Sequence, residues 1–145
     1  EHTWPRSRFN NSQNFGVQEA DIHHLYPTDS RANSIRGNHI FSDFRYGQGI
    51  QDCEPSITGR DEDSGRQAFE PPTHQKGNVA RALFYFSIRY NIAIPNAEEV
   101  HLRRWNDLDP VDQAELRRNN LVEKAQGNRN PFIDNPALAR QIADF

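Results

Sequence analysis

The stretch that decides the fold is DIHHLYPTDSRANSIRGN, residues 21–38. Residues 21–26 read as a short strand that Pro27 stops, because proline brings no amide hydrogen to a ladder. Thr28, Asp29 and Ser30 are all good helix N-caps. A short helix over about 29–36 follows, and Gly37 closes it. A strand running into a short capped helix is therefore expected here.

Upstream lies EHTWPRSRF, residues 1–9. Residues 1–20 are polar and irregular after Pro5. A strand–loop–strand–helix order, which the spacing permits, would bring residue 2 beside residue 33. That would gather a carboxylate (Glu1), an imidazole (His2) and a carboxamide (Asn33). A hard divalent cation takes oxygen ligands and keeps several waters. A neutral histidine beside it takes a proton from an attacking water, because its unperturbed pKa lies near neutrality.

Downstream, residues 45–66 read as a long loop dense in glycine and charge. The clearest helix follows Gly77, over NVARALFYFSIRYNI, where Val79, Leu83, Phe86 and Tyr90 recur at helical steps. A second helix fits 96–108, with Asn96 as cap. A third is capped by Asp109, carries Pro110 in its first turn and ends at Gly127. Residues 135–145 suit a terminal helix. The fold class expected is α+β: one mostly helical domain over 1–145, with a small β element near the N-terminus.

Composition narrows the function classes. The chain has 145 residues, 34% of them hydrophobic, with a mean hydropathy of −0.94. No stretch approaches the roughly 20 apolar residues of a membrane span, so no membrane partner is expected. A formal net charge of −3 argues against a passive polyanion binder but not against an enzyme that meets phosphate locally. Cys53 is the one cysteine, which excludes a four-cysteine zinc site. It reads as a partly buried thiol or as half of a disulfide whose partner lies outside these residues.

Four strings in order, EHTWPRS, DIHHLYPTDSRANSIRGN, KGNVARALFYFSIRY and QGNRNPFIDNP, resemble the motifs of the bacterial endonuclease I family. These are secreted or periplasmic nucleases of the ββα-metal (His-Me finger) class. The resemblance covers nearly the whole chain. It implies an embedded ββα-metal finger over about residues 1–40 and a segment upstream of residue 1. It implies Glu1 and Asn33 as metal ligands and His2 as general base. Asp21 and His23 would support the site from behind, with His24 as further support. Arg36 and Asn38 complete the finger string and would hold the helix or meet phosphate. An arginine of the loop between the finger strands would contact the scissile phosphate; Arg6 and Arg8 are both candidates and the resemblance does not choose.

Arg81, inside an apolar helix, needs either a phosphate or an acid such as Glu70. Arg129 belongs to a string that is either turn chemistry or cleft wall. With Arg31 and Arg36 these two form the expected positive strip. The reaction implied is sequence-non-specific hydrolysis of DNA, and of RNA as an alternative, through backbone phosphates to 5′-phosphate products. One divalent metal is expected, Mg²⁺ first, with Ca²⁺ or Mn²⁺ as alternatives. A monomer is expected. Two other readings stand beside it: a secreted ribonuclease of the same family, and an inactive nucleic-acid-binding module. A metallopeptidase is disfavoured, because no His-Glu-x-x-His string occurs.

Overall fold

The computed structural model describes residues 1–10, 15–50 and 56–145. The fold is α+β. Its helices are α1 (Phe15–Ala20), α2 (Ser30–Arg36), α3 (Thr73–Tyr90), α4 (Asn96–Leu108), α5 (Gln113–Gln126) and α6 (Pro131–Asp134). Between α2 and α3 lies a sheet of β1 (Ile40–Phe41), β2 (Gln48–Gly49), β3 (Ile57–Arg60) and β4 (Gln67–Glu70), ordered β1-β4-β3-β2. β1 runs parallel to β4, and the other pairs are antiparallel.

The N-terminal element is smaller than a strand pair. Residues 21–26 do not form a strand. Ile22–His24 make one 3₁₀ turn, because the Asp21 side chain accepts the amide of His23 at 3.0 Å. What survives of the ladder is one antiparallel bridge, His2 to Leu25. It is framed by Thr3 N to His24 O and Tyr26 N to Glu1 O, both 2.9 Å. Helix α2 then starts as its caps dictate. The Asp29 carboxylate accepts the amides of Arg31 and Ala32, and Gly37 closes the helix at φ +52°.

The long loop expected over 45–66 instead contains β2 and β3. Strands of two and four residues with glycines inside carry too little alternation to be read. Cys53 lies outside the described residues.

Helix α3 is the spine, burying Val79, Ala80, Leu83, Phe84, Phe86 and Tyr90. It begins at Thr73, before Gly77 rather than after it. Gly77 stays inside because a Cβ there would stand 2.0 Å from the Asp109 carbonyl. Asp109 therefore serves the α3–α4 junction, and its carboxylate accepts the Gly77 amide at 2.9 Å. The cap of α5 is Asp112, which accepts the amide of Glu115 at 2.7 Å. Helix α4 spans the expected residues, but Pro95 rather than Asn96 holds its cap position and no side chain caps it; α5 ends at Gly127, with φ +81°.

The C-terminal segment forms a 3₁₀ stretch, Pro136–Gln141, rather than an α-helix. It delivers Phe145 onto Phe84, with ring centroids 4.3 Å apart. Each such buried aromatic contributes about 2–3 kcal/mol by removal from water.

Candidate functional site

Glu1, His2, Arg6, Asn33, Arg36 and Asn38 line one surface cleft of about 260 Å³. The bridge sets Glu1 and His2 on its edge, and α2 brings Asn33 to face them. Arg36 fastens the two pieces together. It is 1% exposed and stacks on Phe41, 4.5 Å from the ring centre. Its Nη1 donates to His2 O at 3.0 Å, and its Nη2 donates to Thr3 O. Nη1 also stands 3.1 Å from Glu1 Oε1.

That last contact is an ion pair without hydrogen-bond alignment, so Glu1 Oε1 is buried with no hydrogen-bond partner. Burial raises the Glu1 pKa, partly offset by the Arg36 guanidinium and the amino group. The Arg36 guanidinium offsets part of the cost of burying that oxygen, and a divalent cation in the cleft would offset more. Asn33 is exposed and its carboxamide makes no hydrogen bond within the described residues. The two side chains thus offer hard oxygens suited to a divalent cation, with remaining positions left to water and phosphate. Among the described residues no group of three or more His, Cys, Asp or Glu side chains is arranged to hold a metal.

The His2 ring has a defined orientation. Nε2 lies 3.2 Å from the Glu19 carbonyl, an acceptor, so Nε2 carries the hydrogen and Nδ1 keeps a lone pair. Burial is the main cause that lowers its pKa, which keeps the ring neutral. His24 stands behind it, centroids 5.2 Å apart, with Nε2 on Gln18 O at 2.8 Å. Burial pushes the His24 pKa down to about 4.

The other candidates separate. Arg6 reaches the cleft and pairs with Glu19 at 2.9 Å on the surface. Arg8 turns away. It lies over Trp4 and pairs with the fully buried Glu98 at 2.8 Å. Asn38 lies in the cleft near Ser7.

Asp21 and His23 brace the 22–24 turn from within. Asp21 Oδ2 accepts the hydroxyls of Tyr85 and Tyr90, both at 2.8 Å. His23 Nε2 meets Asn128 O at 3.0 Å. Burial raises the pKa of both tyrosines, Tyr90 to about 12, and that of Tyr26 to about 12.

Arg81 and Arg129 are not on the cleft. Arg81 is 0% exposed and clamps Glu115 through Nε at 2.8 Å and Nη2 at 2.6 Å. Its partner is Glu115, not Glu70, and no face is left for a phosphate. Arg129 pairs with Glu123 and Asp134 on the surface. With Arg36 buried as well, the strip expected from Arg31, Arg36, Arg81 and Arg129 does not exist as one surface. Sequence reasoning missed Glu19, Glu98 and Arg118. Arg118 donates to Ile22 O and Leu25 O and covers the Tyr26 ring. None carries a local signal, because each acts on residues about 13 to 96 positions away.

A sequence model of the endonuclease I family matches residues 1–137. The chain belongs to the endonuclease I family. Among relatives of this family chain is an extracellular ribonuclease of Bacillus subtilis, 39% identical, aligned over 98% of this chain and 52% of the relative. An extracellular ribonuclease of Bacillus amyloliquefaciens is 38% identical, over 98% and 52%. An extracellular deoxyribonuclease of Aeromonas hydrophila is 31% identical, over 89% and 55%. The chain thus spans about half the length of these curated relatives.

Proposed function

We propose that this chain is a metal-dependent, sequence-non-specific endonuclease that hydrolyses phosphodiester bonds to 5′-phosphate products. One observation carries this reading: Glu1, His2, Asn33 and Arg6 share a cleft in which a Glu1 oxygen is buried without a hydrogen-bond partner. The family relatives, named as ribonucleases and deoxyribonucleases, support the class of reaction.

Glu1 and Asn33 would hold one divalent metal, Mg²⁺ by preference, with Ca²⁺ or Mn²⁺ as alternatives. When bound, it supplies charge stabilisation at phosphorus and at the leaving oxygen. His2 accepts a proton at Nδ1 from a water that attacks phosphorus in line. The new P–O bond forms as the P–O3′ bond breaks; the leaving 3′ oxygen takes a proton from water, and the phosphate stays on the 5′ side. Glu19 holds the His2 ring in the required tautomer through Nε2. Arg36 keeps the Glu1 carboxylate and the His2 backbone in register. Arg6 meets the scissile phosphate by exchanging its surface partner Glu19. Backbone phosphate is the same at every step of a strand, so the chemical step itself reads no base sequence.

A specific observation favours RNA as a substrate alongside DNA: the relatives at 39% and 38% identity are named ribonucleases. Those names also support export to the cell exterior or periplasm. A monomer completes the reading.

Supercoiled plasmid and total RNA, each incubated with Mg²⁺ and with EDTA, test it. Mg²⁺-dependent nicking and RNA breakdown are expected. Cleavage indifferent to EDTA, or none with any of the three metals, overturns it.

A further inference from the structure

Glu1 borders a second, larger space. A cavity of about 580 Å³ shares Glu1 with the cleft and runs between the sheet, α3 and α5. Phe41, Phe69, Pro72 and Val79 give it apolar walls. Its charged groups are Glu1, Asp29, Asp109, Asp112 and Glu115 against Arg118. The cleft that holds Arg6 can meet a phosphate, whereas this acidic lining repels one.

What fits is a neutral group with flat apolar faces and N–H donors on its edge. A nucleobase has those properties: its faces suit apolar walls, and an exocyclic amino group donates to the remaining lone pairs of carboxylates that already accept from the Gly77 amide (Asp109), the Glu115 amide (Asp112) and Arg81 (Glu115). His74 and Gln75 also line the space, and their side chains make no hydrogen bond within the described residues. The volume lies in the range of nucleotide-sized ligand sites.

We propose that this cavity takes one nucleobase of the substrate strand, beside the scissile phosphate held at Glu1. The inference rests on the nuclease reading and adds a substrate class to it. A base can enter only after leaving its stack, so single strands and unpaired loops are the better substrates.

The test uses Ala114, an exposed residue of α5 on the cavity wall. Ala114→Trp plugs the space and Ala114→Ser controls for the change. Cytidine, which carries no phosphate, is titrated against each protein in EDTA. Single-stranded oligonucleotides with one abasic position at successive sites are cleaved in Mg²⁺. Bis(4-nitrophenyl) phosphate, which has no base, reports the chemistry alone. Expected are saturable cytidine binding that weakens about 10-fold or more in Ala114→Trp, and an abasic penalty of about 10-fold at one flanking position that this variant erases. Hydrolysis of the small diester stays unchanged in both variants. Normal diester hydrolysis without cytidine binding, or an abasic penalty that persists in Ala114→Trp, overturns the base site alone. No diester hydrolysis by the unaltered protein overturns the nuclease reading itself.

Discussion

Arg36 and Glu1 form the joint on which the cleft is built. The guanidinium stands 3.1 Å from Glu1 Oε1 while it donates to the carbonyls of His2 and Thr3. One side chain of α2 thus fixes both the proposed metal ligand and the backbone of the proposed base. Replacing it with alanine would remove a donor from the carbonyls of His2, Thr3 and Gly37 and leave the Glu1 carboxylate without its cation. Arg36→Ala should lose about 3–5 kcal/mol of stability. Arg36→Lys keeps the charge but not the fork and should recover only part of it. Urea unfolding of the three proteins checks this; an Arg36→Ala within 0.5 kcal/mol of the parent would refute the joint.

The roles of His2 and Glu1 can be separated. His2→Ala should lower kcat by about 100-fold or more with metal affinity little changed. Glu1→Ala should lose both. Metal titration followed by calorimetry distinguishes them. Metal binding abolished in His2→Ala would make His2 a ligand and the proposed mechanism wrong.

Arg6 and Arg8 differ by their partners. Arg6→Ala removes a surface cation at the cleft and should lower the salt slope of binding by about one unit, with little loss of stability. Arg8→Ala strands the fully buried Glu98 and should cost about 3–5 kcal/mol while the slope stays. Arg81→Ala should behave like Arg8→Ala, because Glu115 is buried with it. The reverse pattern would place the phosphate contact at Arg8.

Acid should loosen the fold through His24. Its pKa is about 4 in the folded chain against about 6.5 unfolded. Between those values the unfolded chain binds more protons, so stability falls as pH drops through that window. The stabilising contribution is complete above about pH 6.5 and largely lost near pH 4, on the order of 3 kcal/mol. His23 shifts the same way and adds to the slope. Denaturant unfolding at pH 7 and pH 5 should show the loss, and His24→Asn should reduce it. An unchanged pH slope in that variant would assign the effect elsewhere.

The local signals in the sequence were those that caps and turns write. Asp29 and Gly37 bound α2, Pro95 precedes α4, and Gly127 ends α5. Glu1, His2 and Asn33 do meet in one cleft. What stayed hidden depends on distant partners. Gly77 reads as the residue after which a helix begins, yet the Asp109 carbonyl that demands a glycine there is 32 residues away. Arg81 reads as a cation in an apolar helix that needs a phosphate or an acid, until α5 brings Glu115 to it. The strand expected over residues 21–26 is a 3₁₀ turn instead, because one aspartate takes the amide of His23. Strands β2 and β3 are too short to carry a period.

The two tyrosines that share the Asp21 oxygen give the molecule an optical gauge. Tyr85 and Tyr90 are held protonated well past the usual phenol range, and Tyr26 with them, by burial. A free phenol ionises near pH 10. In the window from about 10 to 12, these rings absorb as tyrosinate only in chains that have opened, and each chain that opens is trapped by the proton it releases. Alkaline absorbance near 295 nm therefore reads the opening of the scaffold behind His23, without a dye or a label.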